Sequence, residues 1–379
     1  MNSQAKFSFR HLHRQSFHFD TEDTGPAYTQ VQITENVLGV CMGPRLGGAM
    51  GPLHVLLLVA LPVTAAGKTV ALTGATGRLG RIAVQKLSQR GFSTRLLVRH
   101  SIEGVTPSIE ADAPPAAIAA YLAKLPGVTV VKGDVTDTAS VVTLLEGCEA
   151  CLALHGARRT RKLQDLLPWV DPTTDPQHAK RVNYDGVRHL LAAAKASGTC
   201  KRIVRITGKG ETPWSVFSIL INTMGSLAKA WNYEGECLLR SDRRVDYTII
   251  RPGIMVAGME ALDEGTALGL ADNGGDLKVS KIPHASIAEL AIECLAYPNA
   301  ARSTLCAMAV PTEEGASSYA PLLAKVKPDT REFAPTLLAQ HLLAVRVGGT
   351  ALAALATGMA SALVVAVVNI FRALMRLFV

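Results

Sequence analysis

The chain has 379 residues, enough for one large α/β domain or two small ones. Hydrophobic residues make up 48% and aromatics only 5%, so the apolar content is mainly Ala, Leu and Val, and a membrane segment has to be sought. The net charge of +8, with no long Lys/Arg run and no interleaved aromatics, sets nucleic-acid binding aside. Seven cysteines, an odd number without framework spacing, set aside a disulfide scaffold.

Residues 1–67 read as a targeting extension. The first nineteen are basic and lack Asp and Glu, as an organelle presequence does, but acids follow from Asp20. Leu53–Ala66 is a short apolar run after Arg45. It has the layout of a secretory signal, and equally of a buried lead-in to the first strand.

Residues 68–311 read as a dinucleotide-binding domain of Rossmann type, an α/β fold with a doubly wound parallel sheet. Thr69–Thr73 is a β-branched apolar run that ends at glycine, the signature of a buried parallel strand. The loop Thr73-Gly74-Ala75-Thr76-Gly77-Arg78-Leu79-Gly80 follows at once. A helix with apolar spacing over Arg81–Gln89 ends at Gly91, and a strand over Thr94–Val98 comes next. Strand, glycine loop, helix and strand in this order form the context for pyrophosphate binding. Gly74 permits the tight turn, Gly77 the approach of phosphate to the backbone, and Gly80 close helix packing. The helix N-terminus then offers free N–H groups to the phosphates. An acid at the end of the second strand would suit the ribose of NAD. Here Arg99 stands there, with Arg78 in the loop, which favours NADP(H) over NAD(H).

Further strands are expected at Val128–Val131, Ala150–Leu154 and Arg202–Ile206, with a long amphipathic helix from Val182 to Ser197. The Ala/Pro-rich stretch from Val105 to Pro126 reads as an inserted loop and helix. Cys148 and Cys151 form the one CxxC. No second ligand pair accompanies it, so core packing is expected there and no metal site is assigned. Arg158, Arg159, Arg161 and Lys162 lie in the loop after the fourth strand. They could bind an anionic substrate, the cofactor phosphate or lipid headgroups, or simply face solvent.

The segments TGATGRLG, LLVR, GDVTD, VNYDGVRHLLAAAKASG, KRIVRITG and YTIIRPG occur in the order seen in atypical short-chain dehydrogenase/reductases. The chain resembles their NmrA-like NAD(P)-binding group over Lys68–Ala309. The resemblance implies that Gly74, Thr76, Gly77, Arg78 and Leu79 line the pyrophosphate and that Arg99 sits by the adenosine phosphate. It implies that Asp134 and Val135 bracket adenine and that Leu154 and Gly156 lie beneath the cofactor. Pro252 and Gly253 would approach the nicotinamide.

Active members of that superfamily use a Ser or Thr with Tyr-x-x-x-Lys on one helical face, the Tyr as general acid/base. Thr207 stands where the Ser or Thr belongs. Lys229 and Tyr233 are four apart in reversed order, and Gly225 stands where a tyrosine would precede Lys229. Thr207, Lys229 and Tyr233 are the catalytic candidates. Against this, Lys229 also suits an exposed helix position, and Tyr233 and Glu236 suit packing roles.

Residues 312–345 read as a helical linker. Val347–Phe371 contains 25 residues without a charge between Arg346 and Arg372, and 346–372 is therefore expected to be a transmembrane helix. The expectation is a membrane-anchored NADPH-dependent reductase with a small, lipophilic substrate. The competing reading is a non-catalytic NADP(H)-binding scaffold, assembly factor or redox sensor with a protein partner. A sugar-nucleotide epimerase fits less well. A plastid membrane is favoured, with the secretory pathway or mitochondrion as alternatives.

Overall fold

The alternation of side chains along the central strands builds two cores, one on each face of a single sheet. The structure, a computed structural model, describes residues 67–157, 169, 171, 174–256, 258–259 and 261–375. All of them lie in the unit 60–379. Residues 1–66, including the run Leu53–Ala66, and the basic residues Arg158, Arg159, Arg161 and Lys162 fall outside the described residues.

The sheet contains β1 (Thr69–Thr73), β2 (Ser93–Val98), β3 (Val128–Lys132), β4 (Ala150–Ala153), β5 (Arg202–Ile206) and β6 (Asp246–Pro252). Beyond these come β7 (Ile254–Val256), β8 (Thr266–Ala271), β9 (Lys281–Pro283) and β10 (Ser303–Pro311). The main sheet runs β3-β2-β1-β4-β5-β6-β10-β8. Its neighbours pair in parallel except β8, which closes the edge antiparallel to β10. β7 and β9 form a separate parallel pair.

Leu72, Leu96, Leu152, Val204 and Ile250 face one layer of helices. Ala71, Leu97, Cys151, Ile203 and Ile249, each one residue earlier or later, face the other. The first layer holds α1 (Arg78–Gln89), α2 (Pro115–Leu122) and α7 (His284–Glu293). The second holds α3 (Thr138–Leu145), α4 (Gly186–Ser197) and α6 (Ala228–Ser241). α1 buries Leu79, Ala83, Val84 and Leu87. Each of the larger three contributes about 1.5–3 kcal/mol by leaving water. Cys148 and Cys151 are buried free thiols, and burial pushes Cys148 up to about 11. They fill the second core.

Three elements carry features that apolar periodicity does not announce. The helix expected from Val182 begins as a π-turn over Lys180–Asp185 and continues as α4. A further helix, α5 (Val216–Met224), lies between β5 and α6. A long helix, α8 (Leu338–Met375), ends the described chain.

The expectation of a transmembrane helix through 346–372 is overturned. Among the described residues no helix is long and apolar enough to cross a membrane. The uncharged run belongs to α8, whose first turns are used by the domain. His341, Ala344 and Val345 are buried, and a Cβ on Gly348 would stand 2.6 Å from Ile219 Cδ1 on α5.

The segment 327–337 is a strap joined to the domain through backbone and side chains. Asp329 accepts from Thr304 N and from the Tyr247 and Thr304 hydroxyls. Glu234 Oε1 accepts from Leu337 N and Leu338 N, capping α8 from α6.

Candidate functional site

Strand order reverses between β1 and β4, so a crevice opens at their C-terminal ends, where open α/β sheets bind ligands. Thr73 at the end of β1 and His155 after β4 meet there, with Oγ1 and Nδ1 2.7 Å apart. Gly74 follows with φ +79°, and a Cβ on it would stand 2.7 Å from His155 N. Only glycine allows the turn to pass so close to β4. A Cβ on Gly80 would collide with the Gly74 carbonyl oxygen. That glycine serves the loop's own turn, a tighter constraint than packing onto a strand. Gly77 is the α1 N-cap, with no capping side chain and no acid in the first turn. The first N–H groups of α1 thus remain as donors for an anion. Ala75 and Leu79 are buried beneath the loop, while Thr76 is half-buried.

Arg78 and Arg99 are exposed. Among the described residues neither has a hydrogen-bonding or ion-pair partner. Asp134 Oδ1 accepts from Thr136 N and Oγ1, both at 2.9 Å, which sets the turn after β3. Val135 is buried, and its carbonyl lies 3.1 Å from His189 Nδ1. Leu154 is half-buried and Gly156 exposed at the end of β4. Pro252 ends β6. The next residue, Gly253, stands where a Cβ would collide with the Ser280 carbonyl oxygen. A loop crowded wherever a Cβ would be added and an uncapped helix start together fit the pyrophosphate of a dinucleotide.

The three catalytic candidates have separate partners. Thr207 donates its hydroxyl proton to Glu236 Oε1 at 2.6 Å. Tyr233 is fully buried and donates to Ala334 O at 2.8 Å. Burial pushes its phenol up. Lys229 Nζ lies 2.5 Å from Ser218 Oγ on α5 and 5.6 Å from the Phe217 ring centre. Burial, then the nearby Arg251 and Lys209 charges, bring Lys229 down to about 8.

Glu236 anchors a buried charge cluster. Arg251 reaches it through Nε at 3.1 Å and Nη2 at 2.5 Å, and Arg240 Nη2 reaches it at 2.7 Å. Burial alone would raise this carboxyl, but the two guanidiniums outweigh it and hold it at about 2. Arg251 Nη1 also reaches Glu211 at 2.6 Å, and Glu211 pairs with Arg331. The Phe333 ring of the strap lies 3.9 Å from the Arg240 guanidinium, 4.7 Å from Arg331 and 5.7 Å from Arg251.

Four residues here were not singled out from the sequence. Arg205, fully buried on β5, donates to Ala153 O at 3.0 Å, His155 O at 2.5 Å and Asn232 Oδ1 at 3.0 Å. It ties the end of β4 to α6, and burial lowers it to about 10. A charge inside an apolar strand was its available signal. His155 is buried with Nε2 unpartnered among the described residues. Burial, then Arg205, push its imidazole well below the usual range. Ser218 and Asn222 lie on α5, which no inward apolar spacing announces.

Comparison with known proteins agrees with this arrangement. A profile described as NAD(P)H-binding matches residues 74–298. The chain belongs to this NAD(P)H-binding family. Among its relatives is an uncharacterized chloroplastic protein of Arabidopsis thaliana, 28% identical over 259 residues, which are 64% of this chain and 70% of that one. A ceramide reductase of Caulobacter vibrioides is 31% identical over 136 residues, 36% of this chain and 33% of that protein. Solved structures similar to this NAD(P)H-binding chain include a Veillonella parvula short-chain dehydrogenase/reductase in complex with NADP. It has a TM-score of 0.45 and 12% identity, covering 66% of this chain and 98% of that one. The NmrA transcriptional regulator in complex with NAD has a TM-score of 0.34 and 19% identity, covering 50% and 46%.

Proposed function

We propose that the chain is an NADP(H)-dependent reductase of a small lipophilic carbonyl compound, with Lys229 as its proton donor. The observation that carries this reading is Lys229 itself. It is a partly desolvated ammonium on α6, held against Ser218 of α5, and the outer face of α5 is apolar. Trp214, Val216, Phe217, Leu220 and Met224 are all exposed on α5 and the residues before it. Such a surface favours an apolar substrate body lying beside a polar reacting group. The Caulobacter relative's name, ceramide reductase, supports the same substrate class. The Arabidopsis relative is described as chloroplastic, which supports a plastid location.

Gly74–Gly80 and the α1 N-terminus would hold the pyrophosphate, and Arg78 and Arg99 the additional phosphate of NADP(H). The hydride for the carbonyl carbon would come from a reduced nicotinamide held there. Lys229 then gives a proton to the carbonyl oxygen, and its own is restored from solvent. Ser215 Oγ donates to Ser218 Oγ at 2.7 Å, and Ser218 is in turn bonded to Lys229. Because Ser215 is exposed, the three side chains make a short path to water.

The purified full chain should bind NADPH and oxidise it in the presence of long-chain ketones, aldehydes or enones. Tight NADPH binding with no oxidation across such a panel would count against the reading. It would favour a non-catalytic NADP(H)-binding protein instead, a second reading motivated by the structural bonds of Thr207 and Tyr233. Cofactor choice has its own test. Arg99→Ser should weaken NADPH binding by roughly tenfold or more, the worth of one charged phosphate contact. NADH binding, measured by the same fluorescence titration, should hardly change.

A further inference from the structure

The start of α6 is strained. Ser226 (φ 50°) and Leu227 (φ 59°) are consecutive non-glycine residues in the left-handed region, immediately before Ala228 and Lys229. Each such residue costs on the order of 1–3 kcal/mol and persists only where its surroundings dictate it. Leu227 is the N-cap residue and has no side-chain oxygen with which to cap the helix.

Asn222 supplies what Leu227 lacks. Its backbone carbonyl accepts from Leu227 N at 2.9 Å. Its side-chain Oδ1 accepts from Lys229 N at 3.1 Å and Ala230 N at 3.2 Å. Two backbone donors on Oδ1 leave the amide nitrogen, Nδ2, to point the other way. It meets Nδ1 of His341 at 3.0 Å. His341 comes from α8, more than a hundred residues later, and is fully buried. Its Nε2 lies 2.8 Å from Gly210 O. A carbonyl can only accept, so Nε2 carries the proton and Nδ1 accepts from Asn222. Both ring nitrogens are thus used, in one tautomer. The ring bridges the loop after β5 to the cap of the helix that carries Lys229.

We propose that His341 is a positioning residue, which through Asn222 holds the left-handed turn at Ser226–Leu227 and so fixes Lys229 against Ser218. The proposal rests on the reading of Lys229 as the proton donor. The contribution of α8 to the site is a brace from behind, delivered at one buried ring.

The test follows Lys229 directly in the full chain. The rate of its acylation by acetic anhydride, read by peptide mass spectrometry, is measured against pH alongside the pH profile of kcat and the affinity for NADPH. In the unaltered protein the labelling midpoint is expected at about 8. In His341→Ala the midpoint should move toward that of an ordinary lysine by about one pH unit or more, a tenfold change in the proton equilibrium. NADPH affinity should hold. In His341→Asn the side-chain oxygen replaces Nδ1 as the acceptor for Asn222 and should restore at least half the shift. If His341→Ala does not fold, His341→Leu, which fills the site without an acceptor for Asn222, takes its place: a midpoint moved toward that of a free lysine supports the brace, and one left at about 8 overturns it. A midpoint unchanged in His341→Ala, or displaced equally in His341→Ala and His341→Asn, also overturns it. A shifted midpoint in a protein that never oxidises NADPH leaves the brace standing and sinks the proton-donor reading.

Discussion

Lys229→Met should lower kcat by about 10²–10⁴-fold, the usual worth of a placed proton donor. NADPH affinity should stay within about twofold, because the cofactor loop is built from other residues. Methionine keeps the apolar stem beside Phe217 and removes the charge together with its hydrogen bond to Ser218. The pH profile gives a second readout. Lys229 donates only when protonated, so kcat should fall as pH rises through about 8. The limb should disappear from whatever activity the Met variant retains. A variant that reduces substrate at the normal rate, with the alkaline limb intact, removes Lys229 from the chemistry.

Glu236→Ala should strongly destabilise the domain. It leaves Arg251 and Arg240 buried without their shared carboxylate, and breaking a buried pair in this way costs about 3–5 kcal/mol. For a domain of this size that corresponds to a fall in Tm on the order of 10 °C. Thr207→Val, which removes one hydrogen bond to the same carboxylate, should cost about 1.5–3 kcal/mol. The sign with pH follows from the depressed acidity. Glu236 ionises at about 2 in the fold against 4.5 for an ordinary glutamate. Below 4.5 the unfolded chain takes up the proton first, so this contribution is present above about 4.5 and is lost as pH falls toward 2. Denaturant melts across that range, for the unaltered chain and Glu236→Ala, measure it. Coincident melts at pH 7 would show that the cluster supports nothing.

The parts of the fold legible in the sequence are those governed by local pattern. Thr69–Thr73 is a strand of those same residues, and the glycine loop sits between it and α1. Arg202–Ile206 is likewise β5. Buried parallel strands carry unbroken apolar runs, so they announce themselves. α5 did not, because most of its apolar side chains, Ile219 excepted, face outward, and nothing in the spacing of a nine-residue stretch says so. The uncharged run after Arg346 misled for the opposite reason. Counting charges registers what a helix lacks, and not that its first turns meet α5. Within the site, Gly74, Gly77 and Gly80 were readable because backbone access demands glycine. The partners of Thr207 and Tyr233 were not. Glu236 lies 29 residues from Thr207, and Ala334 lies 101 from Tyr233. Contacts at such separations have no local signature.

The strap also bears on how the chain comes together during synthesis. Ala334 receives the Tyr233 hydroxyl, and Phe333 covers the guanidiniums around Glu236. Both emerge from the ribosome well after the last strand of the sheet, β10. Domains ordinarily begin to fold as units while they are being made. Here a nascent chain ending at Pro311 would hold every strand of the sheet while its ion cluster stayed open to water. Protease resistance of stalled chains should therefore appear late and in one step, between lengths ending near Pro311 and near Val345, rather than when the sheet is complete.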